Sequence, residues 1–463
     1  MSLTKATYSM IEGAVLNVQD FGATGDGTTN DTAAIQAAIA FAEASATPPS
    51  AAPGVVTIYF PFGFYSINAA LIVTKSISFF GEGHSEYSSG ARIIQNTAAT
   101  DNFTVQPIAA GCSVSWDNLT LIANGNGGTN GNCINITKTT ATCNSVRIRG
   151  CTFGTPQTLA IRLQSSDDII IDGNLFDVSA VNCIALGTAT AGDVVNNCSI
   201  TNNAFFQIGQ KSIDLYNVVG LLISNNRVYP SAPGAAKMTL FIDGVNTLPY
   251  QIKNVVVNGN RIDNVESLAQ LKDPENFIFS SNTCTALGAS TGSAFSAIEL
   301  TGTACNGVSI NGNIFSGTFD TKNFYNDAGA TVVNANIAAN TFVNAGGAGQ
   351  ALAVANSTGS ILQNKMTSFT TNSVGQQWYT TGNAISPGTL SSLATYTYTA
   401  TVTGARQGDK VTLTPSSTTW PAPAGIVVTS FISASNTVSI QYTNVTGSPI
   451  GVPAHDFGIL VTR

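Results

Sequence analysis

Charge is what this sequence has least of: only 9% of its residues are Asp, Glu, Lys or Arg, against roughly a quarter in ordinary globular proteins. Disorder does not follow, because 43% of the residues are hydrophobic. The net charge of −7 argues against nucleic acid or an anionic membrane as partner. Long apolar runs are also missing, so neither a bilayer-spanning helix nor an export leader (signal peptide) is expected. Only two histidines are present, His84 and His455. Their separation speaks against a Ser/His or Cys/His nucleophile pair and against a zinc site. The eight cysteines include no CxxC spacing, so buried reduced thiols are expected rather than a disulfide scaffold. No metal and no cofactor is called for.

What is there is a repeat. The segments "DIIIDGNLF", "CSITNNAFF", "GLLISNNRV", "NVVVNGNRI", "NFIFSSNTC", "GVSINGNIF", "NANIAANTF" and "GSILQNKMT" share an alternating apolar strand that ends on an asparagine: Asn174, Asn203, Asn226, Asn260, Asn282, Asn313, Asn340 and Asn364. These recur every ~27 residues, within the 20 to 50 of solenoid repeats. Asn tolerates the left-handed backbone of a sharp corner, and its amide can bond to neighbouring rungs. Such short units bury nothing alone and must stack, which makes the fold all-β: a right-handed, single-stranded parallel β-helix.

A second strand precedes each template: "AIRLQ", "CIALG", "SIDLY", "TLFID", "LAQLK", "AIELT", "NFYND" and "ALAVA". Period-two alternation turns Ile161, Leu163, Ile184, Leu186, Ile213, Leu215, Leu240, Ile242, Ile298 and Leu300 inward. Arg162, Asp214, Tyr216, Phe241, Asp243, Lys272, Glu299, Tyr325 and Asp327 then face out, an ionisable and aromatic column in a chain poor in charge. Upstream, "NDTAAIQAAIAFAEA" predicts a capping helix over about 31–45, with Asn30 as N-cap, Asp31 at its start and an apolar stripe of Ile35, Ala38, Ile39 and Ala42. The domain expectation is a short attachment segment, 1–16, a β-helix over 17–375, and a C-terminal β-sandwich-like domain over 376–463, where "TYTYTATVTG" and "NTVSIQYTN" alternate as antiparallel strands.

The outward column suits a sugar groove, with aromatics for pyranose faces and ionisable groups between them. Aligned this way, Asp214 and Asp243 lie one rung and two residues apart, roughly 8 Å, and Asp243 and Glu299 roughly 12 Å. Inverting glycosidases hold two carboxyls about 6.5 to 9.5 Å apart, so Asp214, Asp243 and Glu299 are the candidate catalytic acids. Arg162, Tyr216, Phe241, Lys272 and Tyr325 are the candidate substrate contacts. In a lyase acting on a uronic acid, Tyr216 or Lys272 would be the base. Asp26, Asp31, Asp167 and Asp168 flank turns and are read as structural.

The opening "NVQDFGATGDGTTND", the following helix and "FPFGFYSI" resemble the pectate-lyase-superfamily β-helix of bacteriophage tailspikes and tail-borne depolymerases, and the C-terminal "NTVSIQYTNVTGSPIGVPAHDFGILVTR" is similar to a terminal module common in phage tail proteins. The resemblance implies a homotrimeric spike on the phage tail that binds, and often hydrolyses, a bacterial surface polysaccharide such as capsule or O-antigen. A phage tail or baseplate adapter is a further implied partner, because the segment before the helix is short. A polysaccharide lyase and a non-catalytic glycan receptor-binding spike are the alternatives.

Overall fold

The computed structural model describes residues 15–462, apart from 46–55, 84–89, 124–130, 155–158, 178–181, 207–210, 230–237, 245–250, 288–295, 318–323, 330–331, 345–351, 354–356, 368–371, 375–376, 403–404, 416–422 and the single positions 140, 189, 191, 304 and 363. Most of the expected attachment segment and His84 lie outside the described residues, as does the Asp327 side chain.

Three long parallel sheets carry the N-terminal part of the chain, two of 13 strands and one of 11. Each coil contributes one strand to each sheet. In one coil Lys211–Leu215 belongs to the third sheet, Val218–Ser224 to the first and Arg227–Tyr229 to the second, before the chain rises to Met238–Gly244 in the third. Consecutive coils pair in parallel register, as when Ile213 lies level with Ile184 below and Ile242 above. This is the parallel β-helix that the repeat demands. Its interior is continuous, with Phe153, Phe176 and Phe205 stacked at centroid distances of 4.9 and 4.8 Å.

The recurrent asparagines form a buried ladder. Oδ1 of each accepts from the backbone N–H and the side-chain amide of the asparagine one coil below, from Asn174 and Asn203 up to Asn340 and Asn364. Each side-chain amide also donates to a carbonyl of the preceding coil, as Asn260 does to Ile223 at 3.0 Å. The left-handed backbone belongs to the preceding residue instead: Gly173, Asn202, Asn225, Gly259, Ser281, Gly312 and Ala339 have φ between 55 and 67°. Corner geometry and inter-rung bonding are therefore divided between two neighbouring positions.

Helix Thr32–Ser45 closes the N-terminal end, burying Ile35, Ala38, Ile39 and Ala42 against the core. Asn30 Oδ1 accepts from the Thr32 N–H at 3.1 Å. Asp31 is buried, and its carboxylate accepts from the N–H groups of Thr24 and Gly25, fastening the opening loop. Gln36 exchanges two bonds with the backbone of Ile72 in Leu71–Val73, the first strand of the third sheet. A helix side chain thus occupies the edge where another strand would otherwise add.

The C-terminal strands are antiparallel. Gln377–Ile385 pairs with His455–Thr462, and Thr437–Asn444 lies between Thr395–Thr401 and Ile426–Ala434. They share a separate core that includes Ile385, Ile440, Tyr442, Ile459 and Val461. His455 is buried in this unit, with Nε2 2.8 Å from the Tyr442 hydroxyl, so its role is in the packing of the sandwich. All eight cysteines are buried free thiols. Among the described residues no helix is long and apolar enough to cross a membrane.

Candidate carbohydrate-active site on the third sheet

The third sheet departs from strict alternation. Ser212 and Ile213, Phe241 and Ile242, Leu268 and Ala269, Ala297 and Ile298, and Phe324 and Tyr325 are consecutive residues that are all buried. Two neighbours per strand enter the core, while Asp214, Asp243, Gln270 and Glu299 keep the positions that alternation gives them. Phe241 is fully buried with its ring edge-on to Phe205. Tyr325 is likewise a core residue, level with Ile298. Both expected substrate contacts are therefore overturned: neither ring reaches the outer face.

The outward column runs through register partners from Asn135 to Arg162, Ala185, Asp214, Asp243, Gln270 and Glu299. Asp214 and Asp243 face each other directly, one rung apart, with backbones about 4.8 Å from one another rather than the expected 8 Å. Ile213 lies beneath Ile242 in this register, whereas setting the two segments level from their first apolar residues pairs Ile213 with Leu240 and shifts it by two residues. Glu299 stands two rungs beyond Asp243, about 9.6 Å away, with Gln270 between them. Arg162 stands two rungs before Asp214, across the small Ala185.

A lysine that alternation left unremarked completes the site. Lys211 Nζ lies 2.5 Å from Asp243 Oδ2 and 3.4 Å from Asp214 Oδ2, so one ammonium bridges the carboxylates. Tyr216 hydroxyl and Asn182 Nδ2 approach Asp214 Oδ2 at 3.4 and 3.5 Å, the long end of hydrogen bonding. Lys211 begins its strand, three residues before Asp214. With only 18 Lys and Arg in the chain, its proximity to an acid was the signal available in the sequence.

Asp214 is 3% exposed. Burial pushes its carboxyl above the ordinary carboxylate range; Lys211 opposes this, and Asp243 adds to it. Burial and the Asp214 charge also push the Tyr216 hydroxyl up. For Lys211, burial pulls down, but the bond to Asp243 and the charges of both aspartates outweigh it and hold the ammonium above its usual range. Lys272, half-buried and level with Thr301, lies two residues past Gln270 and outside this cluster. Asp167 and Asp168 have the structural roles expected of them, bonding to Asn196 and Arg147.

Residues 15–236, just under half of the chain, match a family model described as rhamnogalacturonase A/epimerase, pectate lyase-like. No curated protein matches the sequence. Among solved structures the chain is similar to PfbA, a surface adhesin of Streptococcus pneumoniae, with a TM-score of 0.54 and 16% identity over 80% of this chain and 98% of that one. It is similar to DFA-IIIase from Arthrobacter chlorophenolicus A6 without its lid, with a TM-score of 0.55 and 16% identity over 77% and 99%. The tailspike protein of E. coli bacteriophage HK620, in complex with a pentasaccharide, matches with a TM-score of 0.54 and 12% identity over 97% and 93%. At these identities the likeness is one of fold: a tailspike-like, pectate-lyase-like parallel β-helix.

Proposed function

We propose that the protein is an endo-acting glycosidase that binds a bacterial surface polysaccharide, capsule or O-antigen, along the outer face of the third sheet and hydrolyses it. The observation that carries this reading is the bridged pair of Asp214 and Asp243, two carboxyls at one register position of adjacent rungs. Asp214, which burial keeps protonated to higher pH, donates its proton to the glycosidic oxygen as the bond breaks. Asp243, in its ion pair with Lys211, attacks the anomeric carbon as the glycosidic bond breaks, and water, deprotonated by Asp214, then displaces Asp243 from the sugar and restores both carboxyls. Spacing of about 5 to 5.5 Å goes with retention of anomeric configuration, and the close pair favours that outcome. Glu299 stands three rungs, about 14.4 Å, from Asp214, beyond the range of inverting pairs, so inversion with Glu299 activating water is the less favoured reading. Arg162, two rungs before Asp214, flanks the acids as a substrate contact, and Lys272 stands farther off along its strand.

Hydrolysis is favoured over lyase chemistry by the same charges. A lyase base must lose its proton near neutral pH; Tyr216 and Lys211 are both pushed the other way. The pectate-lyase-like and tailspike-like fold supports a glycan substrate, and the tailspike likeness over 97% of the chain supports a place on a phage tail as a homotrimer. Incubation with purified polysaccharides from candidate hosts tests the proposal. New reducing ends from the wild type but not from Asp214→Asn support it. Ultraviolet-absorbing unsaturated ends would support the lyase, and tight binding of intact polymer the receptor-binding spike. Sedimentation reads the trimer.

A further inference from the structure

A second group of ionisable and aromatic side chains stands on a different face, the outside of the second sheet. In Ala204–Phe206, Arg227–Tyr229 and Arg261–Asp263 the middle residues Phe205, Val228 and Ile262 enter the core, which leaves the first and third residues of each strand facing out. Arg227 and Arg261 are exposed register partners in adjacent rungs. Phe206 and Tyr229 are register partners as well, with ring centroids 5.3 Å apart, and Tyr229 is exposed. Arg227 and Tyr229 therefore stand side by side on one strand, about 7 Å apart.

Like charges set directly opposite each other across a ladder are destabilising. The same position elsewhere in the column holds Thr152, Leu175 and Ala204 on one side and Thr283, Ile314 and Thr341 on the other, so the ladder does not require arginine. Asp263 offsets one of the charges, with Oδ2 3.2 Å from Arg261 Nε. Among the described residues no carboxylate lies within ion-pair distance of Arg227. Asp177, the register partner of Phe206, is itself buried.

We propose that this face is a second carbohydrate site, distinct from the carboxylate pair, that takes a carboxylate-bearing sugar of the uronic acid class. At a rung spacing of about 4.8 Å both guanidiniums reach one carboxylate, each with paired N–H donors, while the sugar ring lies against Tyr229 and Phe206. The inference shares with the proposed function only the premise that the partner is a polysaccharide. On an acidic polymer such a site would hold the strand while another segment occupies the third sheet, raising its effective concentration there.

Titration calorimetry on the full chain, with a short oligogalacturonate as probe and a neutral galacto-oligosaccharide as control, tests this. The wild type is expected to bind the acidic probe and the neutral one not measurably, with affinity falling as salt rises. The Arg227→Gln/Arg261→Gln double variant should bind about tenfold more weakly or less, and Tyr229→Ala should weaken binding with the salt dependence kept. Circular dichroism checks that each variant is folded. Undiminished binding in the arginine variant would overturn the proposal whatever the fate of the cleavage reaction. So would inorganic phosphate binding as tightly as the sugar, which would make the site one for bare anions. A fall in assembly mass in the arginine variant with probe binding intact would make the face a subunit interface instead.

Discussion

At the scale of single residues, Asp214 sets the expectations. Its carboxyl is nearly enclosed yet lies within reach of Lys211, Tyr216 and Asp243, so substitution by Asn keeps the volume and leaves Lys211 paired to Asp243. Asp214→Asn should lower turnover about a hundredfold or more while altering KM little, since the proton it supplies acts in the transition state. The pH dependence of stability has a definite sign. A carboxyl whose pKa is raised on folding favours the folded state fully below its unfolded value, about 4, and loses that contribution as pH rises through the folded value. Replacing it with Asn should therefore raise the melting temperature, relative to wild type, more at pH 7 than at pH 3. An equal difference at both pH values would mean that Asp214 is not held protonated by burial.

At the scale of elements, the asparagine ladder carries the stacking of the coils. Asn260→Ala leaves the N–H and side-chain amide of Asn226 and the carbonyl of Ile223 without their partner in the interior. The cost should be about 2 to 4 kcal/mol in denaturant unfolding, and a loss under 1 kcal/mol would show that the ladder is incidental. This ladder was legible in the sequence because one residue type recurs where one geometry recurs. The left-handed corner beside it was not, because Gly, Asn, Ser and Ala all fill it. The third sheet was legible only in part. Ile213, Ile242 and Ile298 are buried as alternation requires, but Phe241 and Tyr325 are buried too, and no local pattern announces a double inward step. Asp214 and Asp243 are level because Ile213 pairs with Ile242, a register that the two segments taken singly do not fix, so the candidate acids were readable as residues while their geometry was not.

At the scale of the whole molecule, the β-helix and the C-terminal antiparallel strands have separate cores, and the N-terminal end is covered by a helix that satisfies a strand edge. Gln36→Ala removes that cover from Ile72 and should speed hydrogen exchange in Leu71–Val73 before it affects strands at the middle of the stack. The thiols report on the same enclosure. None of the eight cysteines should react with a thiol reagent in the native protein, and all should react after denaturation.

The central claim is that the bridged Asp214–Asp243 pair cleaves a glycosidic bond by hydrolysis, and mass analysis of the products from one purified surface polysaccharide tests it most directly. The account predicts oligosaccharides heavier by one water than the corresponding chain segments, produced by the wild type and reduced about a hundredfold or more by Asp214→Asn. Products lacking that water, or wild-type rates from a folded Asp214→Asn variant, would contradict it.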